Sequence, residues 1–518
     1  MALLRSIATV GGYTFLSRIL GFVRDVMIAA VLGAGPIADA FFVAFRFPNM
    51  FRSLAAEGAF SAAFVPMFAS RSAGEGRAAA LAFAERSLAL LVAALVVLTV
   101  FFMIIMPWAM YAIAPGFAAN PAKFELVIQL SRITFPYLLF IALVSLLGGI
   151  LNSLGRFAPM AAAPMLLNIC LIGALFVLVP LTTSPGHALA WGVAVAGIGE
   201  FLWLIWACRS AGIKLKLPRP RLTADMRVLL RRMAPAAVGA GVVQFNLLVS
   251  SILASLLVDG AVSYLAYADR VNQLPLGVIG AAVGTALLPL LASQLRAGQA
   301  EAAMDSQNRA LEFALLLTVP AAAALVVLAH PIITVLFQRG AFGAAEAAAT
   351  GTALAAYAVG LPAYVMVKVF VPGFFAREDT VTPVRIAVWS VLANVAINLA
   401  LMPVLGHVGL ALGTALAAWL NAIMLGWILH RRGLFVLDDR LKQRLPRLAL
   451  ATIAMTAALV PAAQALAAWL HGTGSQRVTG LVALVVLGLL VFGFSAQIMG
   501  AARLGELRAM LRRPQQPA

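Results

Sequence analysis

The sequence predicts an all-α polytopic membrane protein of about 14 transmembrane helices. They form two six-helix lobes related by a parallel pseudo-twofold repeat, with two extra C-terminal helices. Three observations carry that expectation. Of 518 residues, 63% are hydrophobic and only 11% charged, with a mean hydropathy of +1.00, whereas a soluble domain carries roughly 25% charged residues. The apolar stretches are long and continuous. The Lys and Arg residues collect in every second connecting segment.

A chain this apolar cannot cover its surface with polar groups, so lipid is its solvent. Lipid offers the backbone no partners, which leaves helices or closed barrels. Continuous apolar runs, without the two-residue alternation of a barrel strand, select helices. Taking about 20 apolar residues per crossing, spans fall near 8–32, 39–69, 82–112, 126–152, 158–182, 187–208, 226–258, 263–293, 306–337, 347–375, 381–403, 408–430, 447–470 and 477–500. The first run is too long for the apolar core of a cleaved signal, and no A-x-A-like site follows it, so it is read as a span. Cys170 and Cys208 lie inside apolar runs, which argues against a disulfide framework or a cysteine-ligated metal.

With the N-terminus in the cytoplasm, 27 of the 37 Lys and Arg residues fall in cytoplasmic segments or at the cytoplasmic ends of the adjoining spans. Three fall on the other side (Lys123, Arg339, Arg477) and seven deeper within spans. That asymmetry puts both termini in the cytoplasm. It also explains most of the net charge of +18 as topology, with no nucleic acid required. The basic stretch from Arg431 to Arg447 fits a linker lying on anionic headgroups.

Residues 64–70 (Phe-Val-Pro-Met-Phe-Ala-Ser) resemble 287–293 (Leu-Leu-Pro-Leu-Leu-Ala-Ser), an offset of 223 that also places Asn49 opposite Asn272. Pro159 matches Pro383 at an offset of 224. The expected organisation is a six-helix lobe over 1–210, a second over 211–432, and a linker, two extra helices and a basic tail over 433–518. A parallel repeat of this kind places the substrate route between lobes that rock against each other.

Charged side chains at mid-bilayer cost at least about 2.5–3.5 kcal/mol each and must face a cavity or one another. Span 1 carries Ser17, Arg18, Arg24 and Asp25. Arg18, Gly21 and Asp25 share a helical stripe, and a plain Arg–Asp structural pair is one reading of them. Span 2 carries Asp39, Arg46, Asn49, Arg52 and Glu57 around Pro48, which frees a carbonyl and permits a kink. Asp39 is either the partner of Arg46, seven residues on, or a helix cap. Span 8 carries Asp269, Arg270, Asn272 and Gln273. Arg132 and Lys368 read as locally satisfied or snorkelling. The cations proposed for the cavity are all arginines (Arg18, Arg24, Arg46, Arg52, Arg270), with Asn49 beside them. The rigid guanidinium fork suits phosphate, so the substrate expected is anionic. Asp25, Asp39, Glu57 and Asp269 are the candidate ion-pair and gating acids. Asn394, Asn398 and Thr414 offer oxygen ligands for a small cation, although helix–helix hydrogen bonding accounts for such asparagines equally well.

No nucleotide loop, clustered catalytic carboxylates or His-rich metal motif accompanies these residues. The five His are scattered, no metal site is expected, and the reading is a transporter that is not an enzyme.

The stretch Gly35-Pro-Ile-Ala-Asp-Ala-Phe-Phe-Val-Ala-Phe-Arg-Phe-Pro-Asn49, continuing to Arg52 and Glu57-Gly-Ala-Phe-Ser61, resembles the MurJ (MviN) lipid II flippase family. So do Ser17-Arg18-Ile-Leu-Gly21-Phe-Val-Arg24-Asp25, Ala268-Asp-Arg270, Arg339-Gly-Ala-Phe342 and Phe375-Ala-Arg377-Glu-Asp-Thr380. The resemblance covers essentially the whole chain. It implies membership of the multidrug/oligosaccharidyl-lipid/polysaccharide exporter superfamily and alternating access in the bacterial inner membrane. The implied substrate is lipid II, the undecaprenyl-pyrophosphate-linked disaccharide-pentapeptide, moved from the cytoplasmic to the periplasmic leaflet and contributing to cell-wall synthesis and cell shape. Arg18, Arg24, Arg52 and Arg270 match the family's cavity arginines, and Asp25 and Asp39 their acidic partners. The last two helices would form a groove for the lipid tail. Asn398 stands where sodium-binding relatives carry an acid, and Gln273 where some carry another. No cofactor is expected; the membrane potential or a monovalent cation would supply the drive. The partners expected are lipid II and membrane lipids, no nucleic acid, and the chain is expected to be a monomer. An exporter of another lipid-linked glycan or a drug is the alternative.

Overall fold

The computed structural model describes residues 2–53 and 60–502. Among them there are helices and connecting turns and no strands. Among the described residues nine helical segments are long and apolar enough to cross a bilayer. The expected spans fall mostly on helix, although those at 126–152, 306–337, 347–375 and 447–470 are each interrupted by a short turn and those at 158–182, 226–258 and 477–500 run past their helix ends.

The chain packs as two compact units. The first comprises residues 1–263 together with Arg339–Phe342. It contains α1 (Ala2–Leu32), α2 (Pro36–Phe51), α3 (Ser61–Gly74), α4 (Arg77–Ile113), α5 (Pro121–Thr134), α6 (Tyr137–Ser153), α7 (Ala158–Val177), α8 (Pro185–Ser210) and α9 (Ala224–Ser255). Here α1 packs on α7, α7 and α6 on α8, α2 on α5, and α9 on α3 and α4. Helix α6 is buried along most of its length. The ring of Phe47 meets those of Phe102 and Phe135 at 5.3 and 5.1 Å, locking α2 to α4 and to the α5–α6 junction, a geometry that adds to plain area burial. Outside, α4 exposes Val97, Phe101, Ile104 and Trp108, side chains that only a lipid solvent tolerates in such density.

The helix α10 (Ala261–Arg296) passes from the first unit into the second. The second unit continues with α11 (Ala300–Val327), α12 (Ala329–Phe337), α13 (Ala344–Ala358), α14 (Leu361–Phe375), α15 (Val381–Arg431), α16 (Asp439–Ala465), α17 (Ala467–Leu470) and α18 (Gly474–Ile498). Leu311, Val369, Phe374, Leu425 and Leu448 share one core drawn from α11, α14, α15 and α16. The two added helices are thus packed elements of this unit: α16 on α11 and α18, and α18 on α12.

Helix α15 is two spans in one run. Gly406 adopts φ 56°, ψ −131°, breaking the helical path, a left-handed φ that glycine tolerates best. The two arms fold back closely. A Cβ on Gly409 would lie 2.7 Å from the Leu401 carbonyl oxygen, and one on Gly413 would lie 2.1 Å from Asn398 Oδ1. The separate spans expected at 381–403 and 408–430 are these arms.

The contact boundary differs from the lobe boundary expected at 210/211. Helix α9 was expected in the second lobe, yet it packs with the first unit. Polar ties hold it there: Arg71 to Asp225 at 2.7 Å, Gln244 Nε2 to Ser53 Oγ at 2.9 Å, and Arg46 Nη1 to Ser251 Oγ at 2.5 Å.

Candidate functional site

The candidate arginines sit on elements whose local sequence explains their placement. On α1, Gly21 lies against the side chain of Asn168 from α7. This close approach lets Asn168 reach two groups of α1. Its Nδ2 donates to the Ser17 carbonyl at 3.0 Å, and its Oδ1 accepts from Arg24 Nη1 at 2.8 Å. Arg24 Nε and Nη2 donate to Asp25 Oδ1 at 3.0 and 2.7 Å. Arg24 and Asp25 are 8% and 5% exposed, so the pair is a buried, hydrogen-bonded ion pair, as such charges require. Arg18, on the same helix, is exposed. It lines an open cavity of about 300 Å³ with Ser17, Asn152, Phe157 and Met160.

On α2, Arg52 Nε donates to Asn49 Oδ1 at 2.6 Å, an i, i+3 contact along one helix face. Asp39 is neither the cap of α2, which is Gly35, nor a partner of Arg46. Its Oδ2 takes Lys123 Nζ at 2.8 Å and the Gly260 amide at 2.8 Å; its Oδ1 takes the Ser263 amide at 2.9 Å and Ser263 Oγ at 2.7 Å. Lys123 also meets Asp259 at 2.7 Å and lies 3.8 Å from the centre of the Phe117 ring. The result is a buried knot joining α2, α5 and the α9–α10 connection. Elsewhere in the same unit, the Ala341 amide donates to the Ala30 carbonyl at 2.7 Å. Gly340 and Gly33, at φ 58° and 65°, allow this approach; a Cβ on Gly340 would stand 2.2 Å from Ala30 O. The Arg339-Gly-Ala-Phe342 motif therefore has a packing reason.

In the second unit, Arg270 is exposed and Asp269 half-buried on α10. Gln273 Nε2 donates to Asp269 one turn back. Asn272, placed opposite Asn49 by the expected repeat, is buried with Oδ1 lacking a hydrogen-bond partner. Asn398 Nδ2 donates to Asn394 Oδ1 at 3.1 Å, while Thr414 Oγ1 donates to the Leu410 carbonyl at 2.8 Å. Thr414 thus spends its hydroxyl on its own helix, and no group of three or more His, Cys, Asp or Glu able to hold a metal occurs among the described residues. Glu57 lies outside the described residues. Arg132 is satisfied locally, donating to the Met103 carbonyl at 3.2 Å.

The structure therefore joins Arg24 with Asp25 and Arg52 with Asn49, and assigns Asp39 and Arg46 to separate partners. Sequence reasoning missed Asn168, Lys123, Asp259 and Ser251. Asn168 was findable as a lone amide in an apolar span. Lys123 was not, because its loop position reads as an ordinary outer-side cation.

The architecture is that of an all-helical polytopic membrane protein with arginines inside its apolar segments. A sequence model described as "Lipid II flippase MurJ" matches residues 28–479. A "Probable lipid II flippase MurJ" of Rhizobium meliloti (strain 1021) is 44% identical over 520 residues, covering 99% of this chain and 97% of the relative. The "Lipid II flippase MurJ" of Burkholderia cenocepacia is 36% identical, covering 84% of this chain and 85% of the relative. The solved structure titled "Lipid II flippase MurJ, inward closed conformation" superposes with a TM-score of 0.79 at 24% identity, over 97% of this chain and 99% of that one. An inward-facing multidrug transporter of the MATE family in the MOP superfamily follows at TM-score 0.68 and 16% identity, covering 82% and 96%. The chain belongs to the lipid II flippase MurJ family.

Proposed function

We propose that this protein moves lipid II from the cytoplasmic to the periplasmic leaflet of the bacterial inner membrane by alternating access, with both termini in the cytoplasm. The observation that carries the reading is the buried Arg24–Asp25–Asn168 set in a chain of this family. A guanidinium held in place by one carboxylate and one amide is oriented without loss of further freedom. An incoming pyrophosphate replaces one anion by another, so the exchange avoids leaving a bare charge in a low-dielectric site. Arg18, Arg52 and Arg270 supply further phosphate-binding forks, and the polyprenyl tail stays in lipid along α16 and α18. The Asp39 knot, whose residues all lie in the first unit, would hold α2, α5 and the α9–α10 connection together through that cycle. The membrane potential, worth about 2.3 kcal/mol per elementary charge per 100 mV, is the proposed drive. One chain carries both units, so the working form is a monomer.

The test is complementation of a flippase-depleted strain by Arg24→Ala, Arg52→Ala and Arg270→Ala, with membrane levels and outer-leaflet lipid II assayed together. Wild type is expected to restore outward lipid II, and all three variants to insert and fail. A wild type that fails overturns the substrate; variants as active as wild type overturn the arginine site. Collapse of the potential with unchanged flipping overturns the drive.

A further inference from the structure

Between α8 and α9, residues 213–223 run without helix, and the sequence places Pro218 and Pro220 there. The stretch is nonetheless anchored to the first unit. Arg77 Nη2 donates to the Ala211 carbonyl at 3.1 Å, and the Lys216 amide donates to Glu85 Oε1 at 2.9 Å. Asp225, which starts α9, takes both Arg71 nitrogens at 2.7 and 3.0 Å and Arg86 at 3.4 Å. Asp225 is the only acidic residue in 211–235, and it is spent on these two arginines. Seven cations remain: Lys214, Lys216, Arg219, Arg221, Arg227, Arg231 and Arg232, all exposed. Among the described residues, none of their side chains makes an ion pair or hydrogen bond. Leu217, Leu222, Val228 and Leu230 stand between them and are 63, 52, 43 and 45% exposed.

We propose that residues 211–235 form an interfacial anchor lying on the anionic phospholipid headgroups of the leaflet beside it. The inference rests on the cytoplasmic orientation read from the Lys and Arg distribution. Charge alone would fit an acidic protein as well. The interleaved apolar side chains decide for lipid: Leu217 and Leu222 lead into α9, and Val228 and Leu230 lie on its first turns, before a helix that runs on with Phe245 and Leu247 exposed. Cations at headgroup depth with apolar side chains just below them is the pattern of an interfacial segment. Anchoring at Ala211, Lys216 and Asp225 orders the segment in advance, so little freedom is lost on binding. The stretch 431–447 lacks this character. Arg432 pairs with Asp379, Arg440 and Arg444 with Glu312, and Lys442 with Asp439.

The test uses the full chain with Cys170 and Cys208 replaced, Leu222→Cys labelled with an environment-sensitive fluorophore, in phosphatidylcholine vesicles with and without phosphatidylglycerol. Brominated lipid is expected to quench the label in the anionic vesicles, and salt to relieve the quenching. Each substitution among Arg219→Gln, Arg221→Gln and Arg231→Gln should lower the bound-over-free ratio about five-fold at low salt. The control Lys442→Gln in the other basic stretch should leave it unchanged. A label that is equally water-exposed in both lipids, or quenching that ignores charge and salt, overturns the anchor. An acidic soluble protein that protects the label while anionic lipid does not also overturns it. Side-specific thiol labelling separates the two readings: Leu222→Cys reached only from outside overturns the orientation, whereas inside labelling without quenching overturns the anchor alone.

Discussion

The stretches 209–232 and 431–447 look alike as sequence, with eight and six Lys and Arg residues on the side expected to face the cytoplasm. Folded, they differ. In the second, Glu312 on α11 receives Arg309, Arg440 and Arg444, and Asp438 receives Arg309 as well. Glu312 is 11% exposed at its side chain, so this node works as a buried tie fastening α16 to α11. In the first, one carboxylate is consumed by arginines of α3 and α4, and the cations of the segment itself are left outward. The expectation that 431–447 lies on anionic headgroups meets a stretch in which Arg432, Arg440, Lys442 and Arg444 are paired with carboxylates, and the proposed anchor falls on the other stretch. Basic composition alone does not say whether a segment binds outward or inward; the supply of nearby carboxylates does.

The comparison is broken most sharply at Glu312. Glu312→Ala takes the shared carboxylate from Arg440 and Arg444 while Arg309 keeps Asp438, and removal of one partner from a buried pair costs about 3–5 kcal/mol. Denaturant unfolding in detergent should show that loss. A change below about 1 kcal/mol would mean that the node is not a structural tie, since exposed pairs contribute no more than that.

A smaller effect is expected at Asp225, whose side chain is 30% exposed. Asp225→Asn should cost about 1 kcal/mol or less and increase proteolysis within 211–223, while residues 431–447 stay resistant. Equal protection in wild type and variant would remove Asp225 as the anchor.

The smallest effect is a pH dependence at Asp379, in the turn before α15. The Thr382 amide and hydroxyl and the Arg432 guanidinium hold its carboxyl down at about 2, against an ordinary 3.8. A depressed carboxylate stabilises the fold above its unfolded value and loses that contribution as pH falls through its folded value. Stability from this group is therefore complete above about pH 4 and fades toward about 2. Asp379→Asn should flatten that acid limb of an unfolding profile, whereas Arg432→Gln should only shift it. An identical acid limb in wild type and Asp379→Asn would show that the carboxylate carries none of it.

Much of the fold was legible because lipid imposes a simple rule on composition. Continuous apolar runs located most of the helices, even the two arms merged in α15. The arginine positions were legible for the same reason, since charge inside an apolar run is conspicuous. Their partners were not. Helical phase suggested Asp39 with Arg46, yet Asp39 found Lys123, Gly260 and Ser263, and Arg46 found Ser251. Those contacts join residues far apart in the chain, where no local periodicity carries information.

By itself the sequence determined that this chain lives in lipid as a set of helices with arginines in its apolar runs, because the cost of exposing backbone or charge to hydrocarbon is set by residue type alone. Only the tertiary structure decided which carboxylate each cation meets, where α9 docks, and which basic stretch remains open. Pairing energies depend on distance and burial, and those are properties of the packed chain.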